Sequence, residues 1–324
     1  MDACGRIIDY LRLSITDRCN ERCLYCMPEG YCGWEQTPDA LTSEEILRVV
    51  RVAAGLGFRK FRLTGGEPLV RRDVVELVRA MRGIPGVERI GLSTNGTRLA
   101  TLAAPLREAG LDTVNVSLDA LSPEAYRRIT GGRVESAIAG IRAAVAVGYE
   151  RMKLNTVLLR GHNEAEIRPL IRFAAGLGLP LRLIELMPVT ETEGLDETAF
   201  LSVAEVMDEL RREEELIPAP NLRLGHGPAK YFRLARTGAL VGFIGALTTP
   251  HFCDTCNRMR LTADGQLRPC LGNDGEIDLR ALLRSGTGNA GLTAQFRAAL
   301  RQKPARHAFC GEYAPCRPMT AIGG

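Results

Sequence analysis

The sequence predicts an α/β protein: a partial, open TIM-like barrel of six βα units over residues 1–215, followed by a smaller cysteine-bearing domain over residues 216–324. Three observations carry this. Short β-rich runs alternate with helical runs through the first part of the chain. Ten cysteines gather near the two ends and leave residues 33–252 without any. The composition, 45% hydrophobic and 25% charged with a mean hydropathy of −0.04, is that of an ordinary globular chain.

Taken in order, strands are expected at 11–16, 60–64, 89–93, 113–118, 152–158 and 181–186. Between them, apolar residues recur at i, i+3, i+4 over 44–55, 74–81, 99–108, 135–147 and 164–175, the mark of helices packed on a sheet. Thr42 or Ser43 offers an N-cap to the first helix, and Gly55, Gly57, Gly110, Gly148 and Gly178 punctuate helix ends. Alternation at this length makes parallel βαβ units. Six units are too few for the closed eightfold barrel, which leaves an open one, with a doubly wound sheet as the alternative. After Met187 the alternation stops. One more helix is expected at 201–215, then a Pro- and Gly-rich stretch at 217–229 and hairpin-like segments near 232–234 and 240–247.

Charge and hydropathy exclude several classes. The net charge is only +4, from 42 basic and 38 acidic residues, which argues against a nucleic-acid-coating protein. No apolar run reaches the ~18 residues of a membrane span, and residues 1–10 lack the apolar core of a secretory leader. The expectation is a cytoplasmic protein. In a reducing compartment its cysteines are metal or cluster ligands before they are disulfides.

The strongest local signal is Cys19-x3-Cys23-x2-Cys26, in the loop after the first strand. Three thiolates so spaced can hold three corners of a [4Fe–4S] cubane and leave the fourth iron for a ligand. The competing reading is a closed zinc site with Cys32 as fourth ligand. This loop, with Tyr25 before its last cysteine, resembles the signature of radical S-adenosylmethionine enzymes. In that family S-adenosylmethionine chelates the open iron and is cleaved to a 5′-deoxyadenosyl radical. Thr64-Gly65-Gly66-Glu67-Pro68, directly after the second strand, resembles the family's segment for the methionine amino group.

Chemistry in a βα barrel collects at the C-terminal strand ends. Those positions carry Arg12, Ser14, Arg62, Thr64, Ser93, Thr94, Asn95, Asn115, Ser117, Asp119, Lys153, Asn155, Arg182, Glu185 and Met187. Polar residues in six successive strands imply a polar cavity. Its charges are mainly positive, and converging cations call for an anion such as a triphosphate.

A second set, Cys253-x2-Cys256-x13-Cys270, again offers three cysteines, with His251, Cys310 and Cys316 as candidates for a fourth ligand. Beside it Arg258 and Arg260 share one face of an extended segment. The combination is similar to the branch of the radical S-adenosylmethionine family that opens molybdenum cofactor biosynthesis. Matching segments lie at 10–28, 62–68, 93–96, 115–119, 129–131, 153–157, 182–187, 252–260, 270–271 and 322–324.

The resemblance implies a lyase that turns GTP into (8S)-3′,8-cyclo-7,8-dihydroguanosine 5′-triphosphate. It uses S-adenosylmethionine and two [4Fe–4S] clusters, held by Cys19, Cys23 and Cys26 and by Cys253, Cys256 and Cys270. Position by position it implies S-adenosylmethionine contacts from Tyr25, Gly66, Ser117 and Met187. GTP contacts would come from Arg12, Arg62, Ser93, Lys153, Arg182, Arg258, Met259 and Arg260, with catalytic roles for Arg258, Arg260 and the tail Gly323-Gly324. It also implies a homodimer that hands its product to cyclic pyranopterin monophosphate synthase, and it leaves the electron donor open.

Two departures stand beside the match. Ser93 replaces the family's frequent Thr, and Cys4, Cys32, Cys310 and Cys316 have no family role. A fourth ligand from Cys310 or Cys316 would close the second cluster and suit a peptide-modifying radical enzyme instead. A zinc-stabilised binding module is the non-enzymatic alternative.

Overall fold

Side chains of a strand alternate between its two faces, and here the alternation separates oil from charge. Leu11, Leu13, Phe61, Leu63, Ile90, Leu92, Val114, Val116, Leu154, Leu181 and Leu183 are buried on the outer face, beneath the helices. Arg12, Arg62, Asn115, Lys153 and Arg182 hold the intervening positions and face inward. Each fully buried aliphatic side chain contributes roughly 1.5–3 kcal/mol, so the outer face fixes the register that turns the polar set inward.

The computed structural model describes residues 1–27, 39–190, 195, 197–222, 224–225, 227–286, 288–309, 313 and 317–323. Six βα steps run as β1 (Tyr10–Ser14), α1 (Ser43–Gly55), β2 (Lys60–Thr64), α2 (Val74–Arg82), β3 (Arg89–Thr94), α3 (Leu99–Glu108) and β4 (Thr113–Ser117). They continue through α4 (Pro123–Thr130), α5 (Val134–Val147), β5 (Arg151–Leu158), α6 (Ile167–Gly176) and β6 (Leu181–Glu185). The rest of the chain carries α7 (Val203–Arg211), β7 (Leu216–Pro218), β8 (Lys230–Leu234), β9 (Leu240–Ile244), β10 (Arg258–Leu261), β11 (Gln266–Arg268), β12 (Ile277–Asp278), α8 (Arg280–Arg284), α9 (Asn289–Gln302) and α10 (Met319–Ile322).

All described strands join one open sheet in the order β12-β11-β10-β1-β2-β3-β4-β5-β6-β9-β8-β7. The expected six parallel strands form its centre. The cysteine-bearing segment adds a strand to each flank, β10 parallel to β1 and β9 parallel to β6. Eight parallel strands therefore wrap the cavity, and an antiparallel extension finishes each edge.

Local signals account for most boundaries. Thr42 caps α1 in a capping box with Glu45, and Gly148 ends α5 in the left-handed region at φ 75°. The helix expected over 201–215 stops at Arg211. Beyond it, the Glu214 carboxylate accepts from the Arg236 and Thr237 amides, and β7 begins at Leu216. α4 and α9 were not expected from periodicity. α4 had its signals all the same: Ser122 as N-cap, Pro123 in the first turn and Gly131 as left-handed C-cap.

Candidate active site

The barrel interior is a cavity of about 400 Å3 reached by residues of both cysteine sets. Its two mouths are chemically distinct. The Cys19–Cys26 loop leaves the C-terminal end of β1. Cys253 and Cys256 precede the N-terminal end of β10, which runs parallel to β1, so the two sets stand at opposite mouths.

At the first mouth, the loop is fixed by its neighbours. Arg22 N and Leu24 N donate to the carbonyls of Thr130 (2.7 Å) and Ile129 (2.9 Å) at the end of α4, and Cys26 N donates to Cys23 O (2.9 Å). The Gly65-Gly66-Glu67 turn lies against the same loop, with Gly66 N to Thr16 O at 2.8 Å and Glu67 N to Arg18 O at 2.7 Å. A Cβ on Gly66 would lie 2.5 Å from the Arg18 carbonyl carbon, so this glycine serves a close approach of two backbones.

Carboxylates surround this mouth. Glu67 accepts from Thr94 Oγ1 and Asn95 N, each at 2.7 Å, and Glu21 accepts from Tyr126 Oη at 2.8 Å. Asp119 accepts from Tyr25 Oη at 2.5 Å. Burial pushes Glu21 and Glu67 up to about 7 and Asp119 up to about 6. This is the acidic end, suited to a ligand that carries positive charge.

Cations fill the middle. Register places Arg12 beside Arg260 on one side and Arg62 on the other. Arg62 donates to Tyr10 Oη (2.5 Å), Leu92 O (2.6 Å) and Thr113 Oγ1 (3.1 Å), lying over Gly91, where a Cβ would come within 2.6 Å of its Nη2. Arg182 Nε donates to Asn155 Oδ1 (2.8 Å), and the Asn115 amide oxygen serves Arg182 (2.8 Å) and Arg62 (3.2 Å).

Among the described residues, Arg12, Arg62, Lys153, Arg182, Arg258 and Arg260 make no ion pair with a carboxylate. The Nε atoms of Arg12 and Arg258 are buried without a hydrogen-bond partner. Burial, with Arg182 and Arg62 nearby, pushes Lys153 down to about 7; burial and Arg258 push Arg260 down to about 10. Uncompensated cations at this density create a site for a polyanion.

At the second mouth, Cys256 N donates to Cys253 O (3.0 Å) in the turn before β10, and Cys270 follows β11. Although burial works against it, Lys303 and Arg258 draw the Cys256 thiol below its ordinary value. His251 does not line the cavity; its ring is 73% exposed and bonded to Asp254 Oδ2 at 2.9 Å.

The tail returns to the first mouth. Gly323, at φ 85°, receives Arg260 Nη1 on its carbonyl at 2.5 Å, and a Cβ there would lie 2.5 Å from Thr64 Oγ1 and 2.9 Å from Ser14 Cβ. Thr190 Oγ1 accepts from Met319 N (2.9 Å) and donates to Cys26 O (3.3 Å), tying the tail to the first cysteine loop.

Most residues singled out in the sequence meet here: Arg12, Tyr25, Arg62, Ser93, Ser117, Lys153, Arg182, Met187, Arg258, Arg260 and both cysteine sets line one cavity. Gly66 sits behind the lining, against Arg18. Met259, expected toward substrate, is fully buried on the apolar face in register with Leu11, because the alternation that turns Arg258 and Arg260 inward turns it outward. Cys32, Cys310, Cys316 and Gly324 lie outside the described residues.

Sequence reasoning did not single out Glu21, Arg6, Thr190 or Lys303. The His307–Phe309 pair, with ring centroids 4.8 Å apart beside the second cysteine set, was also missed. A lone zinc ion needs thiolates converging to about 2.3 Å from one point. Among the described residues no three His, Cys, Asp or Glu side chains converge so. A cubane spreads its thiolates over separate corners, and each three-cysteine set lines the cavity at one of its mouths.

Comparison with known proteins agrees. A family model described as the radical SAM superfamily matches residues 13–174, and one described as molybdenum cofactor synthesis C matches 179–309. A Moorella thermoacetica protein named GTP 3′,8-cyclase is 48% identical over 324 residues, covering 100% of this chain and 99% of its own. Pseudomonas aeruginosa GTP 3′,8-cyclase 1 is 42% identical, with 100% and 99% coverage. The fold is similar to that of Streptococcus suis SuiB bound to precursor peptide SuiA, at TM-score 0.63 and 16% identity, covering 90% of this chain and 67% of that one. Among the described residues, no helix is long and apolar enough to cross a membrane.

Proposed function

Because this chain belongs to the GTP 3′,8-cyclase family of radical S-adenosylmethionine enzymes, we propose that its cavity holds S-adenosylmethionine at the acidic mouth and GTP across the cationic middle. The enzyme converts GTP to 3′,8-cyclo-7,8-dihydro-GTP in molybdenum cofactor biosynthesis, with S-adenosylmethionine and two [4Fe–4S] clusters as its cofactors. The observation that carries the placement is the set of six cations without a carboxylate partner among the described residues, four of them buried, between two three-cysteine sets on one cavity.

Cys19, Cys23 and Cys26 would hold the cluster that, when reduced, supplies the one-electron cleavage of S-adenosylmethionine. Tyr25, fixed by its bond to Asp119, and Ser117 and Met187 on the same wall would position that co-substrate. Arg12, Arg62, Lys153 and Arg182 would grip the triphosphate, with the unpartnered Nε of Arg12 a donor awaiting an acceptor. Ser93 would offer its hydroxyl from β3. Arg258 and Arg260 would hold the nucleotide from β10, next to Arg12, while Cys253, Cys256 and Cys270 would bear the cluster on the base side. Fixing both ends of one substrate brings C3′ and C8 into reacting geometry without further search. Gly323 would cap the first mouth and keep water out, and the Gly323-Gly324 tail would serve catalysis.

In the same reading, residues 1–215 form the radical S-adenosylmethionine partial barrel and 216–324 a C-terminal domain with the second cluster and the Gly-Gly tail, supported by the second cysteine set lying in the latter. Family membership supports a cytoplasmic homodimer that passes its product to cyclic pyranopterin monophosphate synthase. The test is an anaerobic assay of reconstituted enzyme with dithionite. GTP is expected to stimulate 5′-deoxyadenosine release together with cyclised nucleotide. Release unaffected by GTP would refute the substrate and point to a different radical enzyme.

A further inference from the structure

Lys303 follows α9, is 4% exposed, and meets no carboxylate among the described residues. Its Nζ donates to Arg258 O (2.8 Å) and Pro269 O (2.6 Å), carbonyls two residues beyond Cys256 and next to Cys270. From the other side, Arg6 donates to Cys253 O (3.0 Å), Ala305 O (2.9 Å) and Pro304 O (2.6 Å). The two cations differ in one respect. Arg6 is matched by Asp2 at 2.6 Å, whereas the Lys303 ammonium has only carbonyl dipoles. A buried ammonium without a counter-ion is costly, and the negative charge within its reach is that of the second cysteine set, which lines the same wall.

We propose that Lys303 is a positioning residue that sets the reduction potential of the second cluster. It staples the two halves of the cysteine set through their carbonyls, and its charge favours the reduced form. This rests on Cys253, Cys256 and Cys270 being that cluster's ligands. In the redox step the cluster accepts one electron from an external donor and becomes one unit more negative. No bond is made or broken, and the lysine keeps its proton. A fixed positive charge beside the cluster stabilises the more negative state and raises the potential.

The experiment is a dithionite-poised EPR titration of the full chain carrying Cys19→Ser, Cys23→Ser and Cys26→Ser, so that the second cluster alone gives the signal. Lys303→Gln retains donors for the two carbonyls and removes the charge; Lys303→Arg retains the charge. At the potential that half-reduces the Lys303 protein, Lys303→Gln is expected to lower the reduced-to-oxidised ratio about tenfold, ~59 mV for one electron. Lys303→Arg is expected to stay within about twofold.

An unchanged ratio in Lys303→Gln overturns the proposal. So does loss of iron from both variants, which would make Lys303 a structural staple alone. Absence of bound iron and sulfide in the Lys303 background, read by chemical analysis, would instead overturn the ligand assignment itself.

Discussion

Gly66 and Lys153 show how single residues carry the site. A methyl group on Gly66 would collide with the Arg18 backbone rather than with a side chain that can swing away. Gly66→Ala is therefore expected to cost about 1–3 kcal/mol and to weaken S-adenosylmethionine binding, read by thermal unfolding and equilibrium dialysis; an unchanged Tm would contradict the packing described. Lys153 is pushed from its ordinary 10.5 to about 7. Its unfolded form therefore binds more protons between those values, and the unliganded protein gains stability as pH rises through that window, with the penalty complete below 7. A triphosphate restores the charge, so GTP binding at pH 8 is expected to take up a proton, and affinity to fall as pH rises from 8 to 10. Calorimetry in two buffers of different ionisation enthalpy reads the uptake, and Lys153→Ala should abolish it. The cysteine sets were legible in the sequence because their spacing is local. Lys303 and Arg6 were not, since the carbonyls that hold them lie 34 to 299 residues away along the chain.

Elements repeat that division between local and distant information. The six central strands and the helices between them follow from periodicity and caps, all written within a dozen residues. That β9 and β10 would flank the barrel in parallel was not readable, because short apolar runs name no partner. α9 was hidden by Gly288 and Gly291 at its start and by the lack of a side-chain cap. It docks on α1, with Phe296 edge-on to Phe58 at 5.7 Å. Phe296→Ala is expected to cost about 3–5 kcal/mol in denaturant unfolding while leaving the cavity residues in place. The tail acts in the opposite sense. Removing Gly323 and Gly324 should leave the barrel's Tm unchanged and S-adenosylmethionine cleavage within a few-fold. Cyclised product should fall about 10²-fold; unchanged cyclisation would refute a role for the tail.

At the scale of the molecule, the two ends of the sequence build opposite mouths of one cavity. The net charge of +4 conceals an acidic mouth and a cationic middle. The fold class and most of the site were legible because the polar face of every strand repeats with period two. That the two cysteine sets stand at opposite mouths was not, because it depends on the direction in which β10 joins β1. The central claim is that one GTP spans that cavity, with its ribose at the co-substrate and its base toward the second cysteine set. The most direct measurement is turnover of GTP deuterated at C3′, followed by mass spectrometry of the 5′-deoxyadenosine formed. The account predicts deuterium in 5′-deoxyadenosine and its loss from the cyclised nucleotide. Unlabelled 5′-deoxyadenosine, with the deuterium retained in the nucleotide, would contradict it.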